Sequence, residues 1–78
     1  MQISQLKKEE IASIERAVEY IEKRAKKIRT HIESCKAGGD DPIGDTIISD
    51  ASVIEHNAEV IQHITYRGII RLHTQNNA

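Results

Sequence analysis

Ile11, Ile14, Val18, Ile21, Ala25, Ile28, Ile32 and Cys35 stand alternately three and four residues apart, an unbroken seven-residue repeat in which every position is apolar. A 3.5-residue period keeps one edge of a helix turned toward a neighbour along its whole length. The stretch therefore reads as a long helix packed side by side with other helices, in the manner of a coiled coil. A second run, Ile47, Ala51, Ile54, Ala58, Ile61, Thr65, Gly68 and Leu72, repeats the spacing less cleanly. Val53, Val60 and Ile64 broaden its apolar side, the pattern of a helix that touches more than one neighbour. Between the runs, Gly39, Pro42 and Gly44 alternate with Asp40, Asp41 and Asp45, which is turn chemistry.

These signals predict a single all-α domain over residues 1–78, an antiparallel two-helix hairpin. A helix over about 4–36 is capped by Ser4 and stopped at Gly38–Gly39, where a left-handed residue commonly ends a helix. A turn follows over about 37–46. A second helix covers about 47–72, with Asp45 or Thr46 as its cap, and residues 74–78 fray. Gly68 is the one interruption, and a helix that ended there would leave Ile69 to His73 extended; continuous helix is the reading adopted here.

A chain of 78 residues buries only about 60% of the surface its unfolded form exposes, so it needs help to be stable. Cys35 is the only cysteine, which excludes an internal disulfide. There is no Trp or Phe, and Ile occurs fourteen times against two Leu, so the core is aliphatic and thin. Ile3, Leu6, Val53, Val60, Ile64 and Ile69 find no place on a single contact line between two helices. Two hairpins joined as a four-helix bundle would enclose them, and a homodimer is expected. In that reading Ile11, Ile14, Val18, Ile21, Ala25, Ile28, Ile32 and Cys35 form the seam with Ile54, Ala58, Ile61 and Leu72.

The charges are segregated. Residues 37–66 hold six acids and no Lys or Arg, whereas residues 1–36 carry a net charge of plus 3. Folding back about the turn, with opposed positions summing to roughly 84, would set Glu55 and Glu59 beside Lys26 and Arg29. It would also set Arg67 and Arg71 beside Glu10, Glu15 and Glu19. A lone cysteine and an amino terminus without a basic flank or apolar run point to the cytoplasm, and no apolar run approaches the roughly 20 residues of a membrane span.

No phosphate loop, dinucleotide fingerprint, HExxH or CxxC is present, and a narrow bundle of short side chains offers no deep pocket, so an enzyme is not expected. No cofactor and no metal is expected either. The leading functional reading is a small interaction or regulatory protein that binds a larger protein partner as a helical dimer. Its contact residues would be Lys23, Lys26, Lys27 and Arg29 on one arm and Asp40, Asp41 and Asp45 at the tip. One alternative is a nucleic-acid-binding bundle, because Lys23 to Arg29 places five cations in seven residues. Another is a metal-dependent helical protein using His56, Glu59 and His63 at i, i+3 and i+7, although the Glu-x-x-His spacing of the metal-carboxylate bundles is not matched. Cys35, one turn from a helix end, reads as a small core residue, with His31 four positions before it.

Overall fold

A computed structural model describes residues 2–38 and 44–76. Two helices account for nearly all of them, α1 over Lys8–Lys36 and α2 over Gly44–Asn76, packed side by side and antiparallel. The hairpin is all-helical, as the two repeats require.

The amino terminus differs from the expectation. Ser4 lies inside a short 3-10 turn, Ile3–Gln5, and α1 starts four residues later, after Lys7. Two local side chains explain the break. The Lys7 backbone N–H donates to Glu10 Oε1 at 2.8 Å, and the Gln2 N–H donates to Gln5 Oε1 at 2.8 Å, so each start satisfies an orphan donor three residues ahead. The offset tucks Leu6 under the hairpin, where it is buried. At the other end of α1, Gly38 adopts φ +84°, and its N–H bonds to the Cys35 carbonyl while the Ala37 N–H bonds to Glu33. This is the left-handed stop expected there.

The second helix begins at Gly44, three residues ahead of expectation, and runs without interruption through Gly68 to Asn76. Gly68 is buried and does not end the helix. Residues 74–76 are helical.

The register also differs. Arg24 pairs with Asp50 and Glu10 with Arg71, so opposed positions sum to 74 and 81 instead of 84. The two pairs displace the opposed positions by ten and by three residues, so the long arginine side chains bridge different levels. Cys35, in the last turn of α1, is exposed, not a core residue.

The line along which the helices meet is one residue off the predicted seam. On α1 the line runs through Glu10, Ile14, Ala17, Ile21, Arg24, Ile28 and His31, and on α2 through Asp50, Val53, Asn57, Val60, Ile64, Gly68 and Arg71, with the half-buried Ile11 and Ser13 of α1 and Ile47, Ile54, Ile61, Thr65 and Leu72 of α2 flanking it. Ala17 and Ile64 lie level with each other, and both are almost fully buried. Leu6, Val53, Val60 and Ile64, which had seemed homeless within one chain, thus belong to the hairpin's own contact line, whereas Ile3 and Ile69 remain exposed. Two small residues, Ala17 and Gly68, are buried on this line.

Candidate interaction surfaces

The hairpin measures 62 × 18 × 16 Å, with a radius of gyration of 17.5 Å, where a compact domain of this length has about 11.5 Å. Its accessible surface is 6161 Å², about 1,400 Å² more than the roughly 4,800 Å² of a compact monomer of its mass.

Exposed apolar side chains occur around the rod, Tyr20, Ile48, Tyr66 and Ile70 among them, and one side carries a continuous series. Each residue along an α-helix turns about 100° from the last, so positions one residue past the contact line lie on its flank. On α1 that flank is Ile11, Val18, Ala25 and Ile32; on α2 it is Ile47, Ile54 and Ile61, with Ala51, Ala58, Thr65 and Leu72 beside them. Because the helices run in opposite directions, the two flanks rotate toward the same side of the hairpin. Val18 is 37% exposed and Ile32 46%, Ala25, Ala51 and Ala58 are exposed, and Ile54, Ile61 and Leu72 are half-buried. Ile61, Thr65, Tyr66 and Ile69 line a trough of about 350 Å³ at its α2 border. The predicted seam residues thus divide. Ile14, Ile21 and Ile28 serve the hairpin, and most of the others form an uncovered face.

The opposite side is polar. Ser13, His56, Glu59, His63 and Arg67 surround a trough of about 290 Å³ floored by Val60 and Ile64. His56, Glu59 and His63 are all exposed. Among the described residues no group of three or more His, Cys, Asp or Glu is placed to hold a metal ion, so the structure does not assemble the candidate metal set.

Two ion pairs bridge the helices. Arg71 grips Glu10 with both guanidinium nitrogens, Nη1 to Oε2 at 2.8 Å and Nη2 to Oε1 at 2.9 Å. The Arg71 hydrogen bonds, helped by the Lys7 backbone N–H, hold the Glu10 carboxyl at a pKa of about 2, against 4.5 ordinarily. The same contact pushes the Arg71 value up. This pairing follows the expected charge match. The second was not foreseen: Arg24, inside the basic cluster, donates from Nη1 to Asp50 Oδ1 at 2.9 Å. Asp50 is only 1% exposed, and its Oδ2 has no hydrogen-bond partner among the described residues. The sequence signal was available, since Asp50 continues the line Val53, Asn57, Val60 and Ile64 by one step, but an acid there reads as surface.

Lys23, Lys26, Lys27 and Arg29 are exposed on α1. Lys23, Lys26 and Lys27, with Thr30 and His31, edge a trough whose walls are mostly their alkyl stems. Glu55 and Glu59 form no ion pair with Lys26 or Arg29 among the described residues. Asp40 and Asp41 lie outside the described residues, as does the side chain of Asp45, which falls in the first turn of α2. No helix is long and apolar enough to cross a membrane. Comparison with known proteins found no matching family model, curated protein or solved structure.

Proposed function

We propose that this chain is a non-enzymatic interaction or regulatory protein that self-associates as a helical dimer and acts by binding a larger protein partner through its outer polar faces. The observation that carries the proposal is the surplus of about 1,400 Å² of surface on a rod with little interior of its own. A molecule of this shape works by occupancy. The exposed cations Lys23, Lys26, Lys27 and Arg29 supply the contact surface on the α1 arm, with Asp40, Asp41 and Asp45 as an acidic counterpart.

The test is capture of partners from native lysate with wild-type protein and with Lys26→Ala/Lys27→Ala, identified by mass spectrometry. A protein retained by the first and lost by the second supports the proposal; identical captures by the two remove the basic arm from it.

One observation favours a second reading, in which the basic arm contacts nucleic-acid phosphates: Lys26 and Arg29 lack the acidic neighbours expected to neutralise them. Binding of that kind weakens steeply as salt rises. Fluorescence anisotropy with duplex DNA and with RNA decides it; absence of binding at low salt ends the reading.

A further inference from the structure

Two apolar stripes, one from each helix, turn to the same side of the hairpin, with Val18, Ala25, Ile32 and Ala58 exposed and Ile54 and Ile61 half-buried. Resting on the reading of this chain as a self-associating protein, we infer that this one face, centred on Val18, Ala25 and Ile32 of α1 and Ile54, Ala58 and Ile61 of α2, is where a second copy of the chain packs.

Area comes first. If each of two chains covered only its surplus, the contact would bury about 2,800 Å² in total, within the 2,000–5,000 Å² of obligate homodimers. Shape agrees with area. Large and small residues alternate along the α2 stripe, Ile47, Ala51, Ile54, Ala58 and Ile61, and Ala25 breaks the run of larger residues Ile11, Val18 and Ile32 on α1, a relief that can interdigitate with another helix pair. Period narrows the occupant. A face carrying the same seven-residue repeat on both helices fits a rod with that repeat, and a copy of the chain supplies one. A lipid surface fits poorly: Trp and Phe are absent, and the α1 border carries Glu15 and Glu22 together with Arg29, where a lipid-binding helix carries Lys and Arg throughout. Packing through this face leaves Lys23, Lys26 and Lys27 and the His56–His63 trough on the outside of the dimer, each present twice.

The test compares two positions that are both exposed in the hairpin, one on the face and one off it. In a Cys35→Ser background, Ala25→Cys and Ile48→Cys are labelled with a maleimide while the mass is read by sedimentation equilibrium. In a particle of two chains, the thiol at position 25 is expected to react at least about tenfold more slowly than that at position 48, with the rates converging on dilution. In parallel, Val18→Glu should halve the mass, and Ile70→Glu should leave it unchanged. A two-chain particle in which positions 25 and 48 react alike overturns the assignment of the face while leaving self-association intact. A mass above two chains overturns the pairwise packing. A mass of 8.8 kDa at every concentration removes the underlying reading along with the inference. In that case, protection of position 25 by phosphatidylcholine vesicles would give the face to lipid.

Discussion

Replacing Arg24 by Met should be among the most damaging single changes to this hairpin, and more damaging than removing its partner. Asp50 has a side chain only 2% exposed and one ion-pair partner, the Arg24 guanidinium at 2.9 Å. Methionine keeps the packing of the Arg24 stem but leaves a buried carboxylate unpaired. Breaking a buried pair from one side costs 3–5 kcal/mol, and since the Arg24 side chain is 35% exposed and water can reach part of the site, about 3 kcal/mol is expected. A chain of 78 residues has a total stability of about 4–12 kcal/mol, so this is a large fraction of the whole. Asp50→Ala leaves a different remainder, a guanidinium that can turn to solvent, on a helix that prefers alanine. Its cost is about 1 kcal/mol. Arg24→Met/Asp50→Leu, which removes both charges, should return close to wild type, because an apolar pair of similar volume often replaces a buried ion pair without loss. Urea unfolding followed by far-ultraviolet circular dichroism, at one fixed protein concentration, measures all four species. Equal costs for the two single variants, or a cost below about 1 kcal/mol for Arg24→Met, would refute the view that Asp50 is a buried charge held by one partner.

The remaining predictions concern acid, the turn and the contact line. Glu10 has a folded-state pKa depressed from 4.5 to about 2, so its contribution is complete above 4.5 and disappears as pH falls through the folded value. The stability difference between wild type and Glu10→Gln should thus be constant above pH 4.5 and shrink toward pH 2; a difference independent of pH counts against the pairing. Gly38→Ala forces a side chain into φ +84°, and thermal melts should register a loss of about 1 kcal/mol, whereas an unchanged melt would mean that the stop tolerates other conformations. Ile21→Asp places a charge on the line where the helices meet, so size-exclusion chromatography and circular dichroism should show dissociation and loss of helix together. A folded monomer from that variant would separate the two events.

The helices and their antiparallel return were legible because a seven-residue apolar repeat and a Gly-, Pro- and Asp-rich break each have few structural solutions. The register was not. Periodicity locates a stripe, but a one-residue rotation preserves the stripe and changes which residues meet: the contact line includes small residues, Ala17 and Gly68, and Asp50, which hydrophobicity alone places on the surface. That rotation puts Leu6 and Ile64 in the core, where a seam of large apolar residues leaves them surplus, and Cys35 is exposed where the repeat reads it as buried. Lys23, Lys26, Lys27 and Arg29 are exposed, since charged residues off an apolar stripe have only solvent to face. Their neutralisation by Glu55 and Glu59 failed with the register, since pairing across a hairpin depends on sliding as well as direction.

The central claim is that one hairpin has more apolar surface than it can cover by itself. Sedimentation equilibrium across a dilution series, with thermal melts of the same samples, tests it most directly. The account predicts a particle of about twice 8.8 kDa whose melting temperature rises with protein concentration, as mass action requires of a folded state held together by two chains. A single-chain mass, with a cooperative melt independent of concentration, would contradict it.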